Sequence, residues 1–155
     1  MKRRIGVLAA LLVTLAAGSV LLAQSNPFVG TWKLNVAKSK FDPGPAPQSS
    51  TRTWDASGMV MVNGINAAGK ANSYGYTINE DGKEYPTMGA IPNTADKITA
   101  KRLDANSYEA KFWKAGQQVE VTSFKVSDGG KVLTIHAKGT SPAGPFDNLQ
   151  VWEKQ

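Results

Sequence analysis

The stretch NPFVGTWKLN, residues 26–35, decides the fold of this 155-residue chain. Phe28, Gly30, Trp32 and Leu34 stand at alternate positions, so they share one face of an extended strand. Glycine at position 30 lets a second backbone approach that face closely. The pattern therefore predicts that the folded part of the chain opens with a β-strand near residues 28–35.

The residues before this stretch have the order of a secretory signal peptide. A basic segment at 2–4 is followed by residues 5–22 without a charge and by small residues that end at Ala23. We expect cleavage after Ala23, with a cut near Ser19 as an alternative, and hence a secreted or periplasmic protein. An uncleaved anchor is the competing interpretation, because 18 uncharged residues approach the ~20 that span a bilayer.

The length and charge of the remaining chain, residues 24–155, limit its function class. Its 132 residues predict one domain that buries enough surface to fold without a disulfide, and the chain has no cysteine. Three of the 18 basic residues lie in the N-terminal segment, which leaves 15 against 12 acidic residues. These charges are scattered, so we expect no nucleic-acid partner and no stable membrane insertion after cleavage.

Turn signals alternate with β-forming segments along the whole mature chain. Gly and Asp-Gly pairs supply the positive φ of tight hairpins, and Val, Ile, Thr and aromatic residues fill the intervals. A change of phase between Val121 and Phe124 suggests a β-bulge. Proline interrupts two loops, residues 37–50 and 86–96. Strands are predicted near 28–35, 50–56, 58–66, 71–79, 96–103, 107–114, 117–126, 131–139 and 146–153.

These elements predict an all-β fold, an antiparallel up-and-down barrel of about eight to ten strands. Closure hides the edge strands of such a meander, and a barrel of eight strands can enclose one small ligand.

The first strand resembles the N-terminal signature of the calycin superfamily, which includes lipocalins, fatty-acid-binding proteins and avidin-like barrels. Gly30 and Trp32 match the Gly-x-Trp of lipocalins, FVGTWKL resembles the start of fatty-acid-binding proteins, and VWEK at 151–154 resembles their last strand. The resemblance implies that Gly30 and Trp32 close one end of a barrel. The mature chain also resembles a set of secreted bacterial proteins that share GTWKLN and a PGPAP-like stretch.

The sequence departs from both subfamilies at the places where they handle ligands. Fatty-acid-binding proteins carry a two-helix lid after the first strand, and the prolines at 43–47 exclude it here. They hold the ligand carboxylate with an Arg-x-Tyr pair in the last strand, where Gln150 and Trp152 stand in this chain. Bidentate carboxylate binding in that mode is therefore not expected. The segment before the last strand is also too short for the lipocalin helix.

The sequence contains no pattern typical of an enzyme, a metal site or a cofactor site. His136 is the single histidine and alternates with Leu133 and Ile135, so we expect it on the outer surface, with haem ligation as the less favoured alternative. Without cysteine or clustered ligands, zinc is not expected. No Gly-x-Ser-x-Gly motif is present, and Glu80-Asp81 fits a solvated turn.

Aromatic and methionine residues are the remaining functional signal. If the barrel holds a cavity, these side chains are its candidate lining. The sequence therefore predicts a non-enzymatic binding protein for a small apolar or amphipathic ligand; the alternative is a filled barrel that acts as a structural or interaction module of the cell envelope. The candidate lining residues are Trp54, Met59, Met61, Tyr74, Tyr76, Tyr108, Phe112 and Trp152.

Overall fold

A computed structural model describes residues 26–127 and 129–155, and these residues form one closed antiparallel β-barrel of ten strands. Each strand pairs with the next along the chain, and the first strand closes the barrel against the last. The predicted all-β up-and-down barrel is thereby confirmed, whereas the predicted signal peptide lies outside the described residues. The strands are β1 (Gly30–Leu34), β2 (Ser49–Trp54), β3 (Met59–Ile65), β4 (Ala71–Thr77), β5 (Tyr85–Gly89), β6 (Lys97–Asp104), β7 (Ser107–Lys114), β8 (Gln117–Val126), β9 (Val132–Ser141) and β10 (Gly144–Lys154).

The helical content of the described ranges is one 3-10 helix of three residues, Val36–Lys38, between β1 and β2. No helix in those ranges is long and apolar enough to cross a membrane.

Alternation places the apolar side chains inside the barrel. In β7 the buried residues are Tyr108, Ala110 and Phe112, and in β9 Leu133 and Ile135 lead the same pattern. The intervening residues are polar or charged and face outward. The core therefore lies within the barrel and not between separate layers.

One end of the barrel is filled by a cluster of four aromatic rings, which we call the closed end. The ring centroid of Phe28 lies 4.8 Å from those of both Trp54 and Tyr108, and Trp54 lies 5.9 Å from Phe124. Tilted and edge-to-face contacts at these distances add to the stabilisation from burial. β1 begins at this end of the barrel, so aromatic residues at the start of the folded chain pack into the closed end.

Gly30 and Trp32 lie at this end as inward residues of β1. Trp32 is 0% exposed, and its indole Nε1 donates a 2.8 Å hydrogen bond to the carbonyl oxygen of Phe28. Gly30 has φ +138°, a region that favours glycine. A Cβ atom there would lie 2.8 Å from Cε of Lys154, whose Nζ sits 5.0 Å from the Trp32 ring centroid.

Glu80, Arg102 and the hydroxyl of Tyr108 form a hydrogen-bonded group on the outside of the closed end. Glu80, in the connection after β4, accepts hydrogen bonds from Arg102 Nη1 at 2.8 Å and from Tyr108 Oη at 2.9 Å. These two donors, Tyr108 first, hold the pKa of Glu80 below its usual value. The pair Glu80-Asp81 does lie in a strand connection, but Glu80 anchors that connection to β6 and β7.

The structure corrects two details of the sequence prediction. Residues 86–96 are not all loop, because Tyr85–Gly89 forms β5, with only three residue pairs to β4 and two to β6. Proline at 86 has no amide hydrogen to donate, which fits so short a ladder. The bulge in β8 lies at Val119, where Phe112 pairs with Glu120 and Trp113 with Gln118, and not between Val121 and Phe124.

Candidate ligand-binding cavity

The half of the barrel opposite the closed end encloses a cavity of about 500 Å³. Its walls come from inward residues of β1, β2, β4, β7, β8, β9 and β10, and its rim comes from the segments 41–47, 66–68, 91–93 and 141–146. Rim segments are all connections or strand ends at one end of the barrel. The barrel is therefore filled in one half and open in the other.

The proline-rich segment between β1 and β2 forms part of this rim in place of a helical lid. It is fastened to β10: the amide N of Lys40 donates to Leu149 O at 2.7 Å, and the amide N of Asp147 donates to Asp42 O at 2.8 Å. The Asn148 side chain accepts from the amide N of Asp42 at 3.1 Å. The segment that holds Pro43, Pro45 and Pro47 thus borders the cavity mouth.

Arg52 lies on the floor of the cavity. It is an inward residue of β2, two positions from Trp54 of the closed end and two from Ser50 on the cavity side. Arg52 is buried, with only 3% of its surface exposed. Alternation from Trp54 fixes this inward direction, because residues two apart in a strand share a face.

The surroundings of the Arg52 guanidinium are aromatic. Cζ of Arg52 lies 4.9 Å from the ring centroid of Trp152 and 5.9 Å from those of Tyr76 and Phe124. Contacts of this kind stabilise a cation electrostatically. Nη1 of Arg52 donates a hydrogen bond to Tyr76 Oη, and burial raises the pKa of Tyr76, which keeps that phenol neutral.

No carboxylate within 4.0 Å forms an ion pair with this buried cation in the described part of the chain, although its charge acts on Glu120 over a longer distance. The ion pairs closer than 4.0 Å there all involve other side chains. Nε of Arg52 is fully buried and has no hydrogen-bond partner. A buried guanidinium normally has an ionic or fully hydrogen-bonded partner, so Arg52 departs from that rule.

Glu120 is the second ionisable residue in the cavity wall, and its oxygens are already engaged. Oε2 accepts a 2.5 Å hydrogen bond from Nδ2 of Asn93, and Oε1 accepts one from Oγ1 of Thr122. Burial raises the pKa of Glu120, and the hydrogen bonds from Thr122 and Asn93 and the charge of Arg52 only partly oppose that shift. Glu120 therefore tends toward its neutral form in the folded protein.

Gln150 and Trp152 also line the cavity, from β10. Nε1 of Trp152 donates to Oε1 of Gln150 at 3.1 Å, so the two residues satisfy each other. These are the positions where the resemblance implied a missing Arg-x-Tyr pair. The structure places an arginine against Trp152 after all, but it comes from β2 and not from β10.

The eight predicted lining residues fall into three places. Tyr74, Tyr76, Phe112 and Trp152 line the cavity. Trp54 and Tyr108 belong to the aromatic cluster of the closed end and are absent from the cavity lining. Met59 and Met61 alternate with the buried Val60 and Val62 of β3 and so face outward, away from the cavity. That the four lining residues contact a ligand stays a prediction.

The polar residues of the wall, Arg52, Asn93, Glu120 and Thr122, were not predicted from the sequence. For Arg52 a signal existed, since Trp54 two residues later sets the phase of β2. For Glu120 the predicted change of phase between Val121 and Phe124 obscures the inward face, which Thr122, Phe124 and Val126 mark by their burial. Nothing in the sequence around Asn93 distinguishes it from an ordinary loop residue.

His136 lies on the outer face of β9, as the alternation predicts. Its side chain is 42% exposed, and Nε2 lies 2.7 Å from Oδ1 of Asp147. Among the described residues, no group of three or more His, Asp or Glu side chains is arranged to hold a metal ion.

Comparison with known proteins gives one informative likeness. No protein-family model matches the sequence, and no curated protein matches it. Among solved structures, the chain is similar to ileal bile acid-binding protein from zebrafish, crystallised in complex with cholic acid. The TM-score is 0.52 at 10% identity, over 83% of this chain and 99% of that chain. A likeness at this identity shows a shared fold, and it confirms the calycin-like barrel predicted from FVGTWKL and VWEK.

Proposed function

We propose that this protein is a secreted or periplasmic, non-enzymatic binding protein that holds one small apolar or amphipathic molecule in its barrel cavity. The observation that carries the proposal is the cavity of about 500 Å³ in a barrel whose other half is filled. Ligand pockets typically enclose about 300–1,000 Å³.

The lining of the cavity supports an apolar or amphipathic ligand. Phe112, Ile135 and Trp152 supply apolar surface, and a few polar groups interrupt it. This mixture is typical of small-molecule sites, where apolar walls contribute affinity and a few polar groups fix orientation. The zebrafish protein of similar fold was crystallised with a bile acid, an amphipathic molecule, which supports the same class of ligand here.

The alternative function, a filled barrel serving as a structural module of the cell envelope, has weaker support. Such a barrel needs no internal space, and core packing normally leaves few voids larger than a water molecule. The cavity of about 500 Å³ counts against this alternative.

A dye titration tests the proposed binding. The protein is expressed from the full-length gene, so that any N-terminal cleavage is left to a bacterial host, and is titrated with N-phenylnaphthylamine, a neutral dye that fluoresces in apolar surroundings. We expect saturable binding of one dye per chain, with native mass spectrometry giving the stoichiometry. Absence of saturable binding would overturn the proposal.

A cavity-filling substitution locates the bound dye. Ala137 is a buried residue of β9 that lines the cavity, and Thr134 lies on the opposite face of the same strand. We expect Ala137→Trp to abolish dye binding and Thr134→Trp to preserve it. Equal binding by the two variants would place the dye on the outer surface and contradict the proposal.

The proposed location has its own test. Protein recovered from the periplasmic fraction of the host is weighed by intact-mass spectrometry. We expect the mass of a chain that begins at Gln24. The full-length mass in a membrane fraction would favour the uncleaved anchor instead.

A further inference from the structure

We infer that the ligand carries one oxyanionic head group, a carboxylate or a sulfonate, and enters head first so that this group binds Arg52 on the cavity floor. The inference rests on the proposed function and adds the chemical class and the orientation of the ligand. It is carried by a buried arginine that lines the cavity and has no ionic partner among the described residues.

The hydrogen bonds of Arg52 leave Nη2 for a ligand. Nη1 donates to Tyr76 Oη, and Nε is fully buried, so neither faces the cavity freely. Nη2 donates to no described residue and, unlike Nε, is not fully buried. A charge-assisted hydrogen bond from Nη2 to an oxygen of a carboxylate or sulfonate is stronger than one to a neutral acceptor.

The charges of the cavity favour a single negative charge on the ligand. Arg52 is the one cationic side chain among the described lining residues, so there is no second cation for a dianion. The carboxyl oxygens of Glu120 already accept hydrogen bonds from Asn93 and Thr122, and burial raises the pKa of this group. Asp42, at the rim, lies 3.9 Å from Nζ of Lys40.

The position of Arg52 sets the direction of the ligand. The residue below it in β2, Trp54, belongs to the filled end, so nothing larger than the head group fits beyond the guanidinium. Above it, Phe112, Trp152 and the proline-rich rim offer apolar surface to a tail. A head-first orientation pairs the anion with the cation and the tail with the apolar wall.

A matched pair of dyes tests this inference on variants of one residue. Anilinonaphthalene sulfonate and N-phenylnaphthylamine share the same aromatic skeleton and differ in the sulfonate. We expect Arg52→Met to weaken binding of the sulfonate dye by about 10- to 100-fold and to leave binding of the neutral dye within about twofold. Arg52→Lys retains the charge but not the planar guanidinium that Tyr76 and the aromatic rings hold in place, and we expect an intermediate loss for the sulfonate dye.

A matched control removes a different arginine. Arg102 lies outside the cavity lining, bound to Glu80 at the closed end. We expect Arg102→Met to leave the affinity for both dyes unchanged in the folded protein, whose fold is checked by circular dichroism. A loss for the sulfonate dye with Arg102→Met as large as with Arg52→Met would overturn the assignment to Arg52.

A second measurement uses the unaltered protein and so does not depend on how a variant folds. Decanoate, decane sulfonate and decanol compete with bound N-phenylnaphthylamine. We expect each anion to displace the dye at a concentration at least about 10-fold lower than the concentration of decanol that is needed. The anion that displaces the dye at the lower concentration identifies the preferred head group. Displacement by decanol at the same concentration as the anions, or equal loss of both dyes with Arg52→Met, would overturn the inference while the proposed function stands. Failure of wild-type protein to bind the neutral dye would instead remove the proposed function.

Discussion

The two halves of this barrel differ in the types of residue that face inward. At the closed end the inward side chains of β1, β2 and β7 are Trp32, Trp54 and Tyr108, and they fill the interior. In the open half the same strands and their neighbours turn Arg52 and Glu120 inward around a cavity. The difference indicates that the closed end stabilises the barrel, while the open half gives up packing for a site with its own chemistry.

The largest expected effect comes from a cavity at the closed end. Phe28 is fully buried and contacts the rings of Trp54 and Tyr108. We expect Phe28→Ala to lower the free energy of unfolding by about 3–5 kcal/mol, because the truncation removes buried apolar surface and leaves a void. Equilibrium unfolding in urea measures this loss.

The matched change in the open half is Phe41→Ala at the rim. Phe41 is only half-buried and borders the cavity, so its removal opens no enclosed void. We expect a loss of less than about 1 kcal/mol. Equal losses for the two phenylalanine variants would contradict the division of the barrel into a filled half that stabilises it and a half that holds the cavity.

A smaller effect is expected where β9 passes the bulge in β8. A Cβ atom on Gly139 would lie 2.1 Å from the carbonyl oxygen of Val119 and 2.8 Å from Cα of Glu120. Both are backbone atoms, so Gly139→Ala must shift the bulge, and we expect a loss of about 1–3 kcal/mol. Binding of the neutral dye should weaken as well, because the bulge positions Glu120 in the cavity wall.

The control for this substitution is Gly129→Ala in the connection before β9. A Cβ atom there would meet no atom within 4 Å. We expect a change in the free energy of unfolding within about 0.5 kcal/mol and unaltered dye binding. A similar loss at both glycines would show that the close approach at Gly139 is not the cause.

The closed end could be predicted in part, where it obeys alternation. Trp32 stands between Gly30 and Leu34 on one face of β1, and its burial follows from that pattern. Trp54 shares its face of β2 with Arg52 and Ser50, so no apolar pattern separates its place at the closed end from the predicted place in the cavity lining. The barrel follows from the same signal repeated between turns. Only the short strand β5 was hidden, since Pro86 and few ladder pairs weaken both its sequence signal and its pairing.

The open half could be predicted only in part, because a cavity reverses the rule that charged residues face outward. Arg52 and Glu120 occupy inward positions that an apolar pattern assigns to the outside. In β3 every residue from Met59 to Val62 is apolar, so alternation alone cannot assign its phase. The cavity itself depends on how the rim segments fold over the strands, which no local pattern records.

The smallest expected effect depends on pH and concerns Glu120 in the cavity wall. Because burial raises the pKa of Glu120 in the folded protein above its unfolded value of 4.5, the stability contributed by its neutral form is fully present below pH 4.5 and is lost as the pH rises through the folded pKa. Gln cannot ionise, so Glu120→Gln avoids this loss. We therefore expect the variant to gain thermal stability relative to the wild type as the pH is raised from 4 to 8.

Thermal unfolding followed by circular dichroism at pH 4, 6 and 8 measures that difference. Glu109→Gln, on the outer face of β7, changes the net charge equally and subtracts any general effect of charge. After this subtraction, the advantage of Glu120→Gln should be smallest at pH 4 and should grow with pH. A difference that is constant with pH would mean that Glu120 is as well solvated as a surface carboxylate. A difference largest at pH 4 would mean that the folded protein favours the charged form of Glu120, as the charge of Arg52 does, more than burial opposes it. Either result would contradict the burial effect expected for the open half.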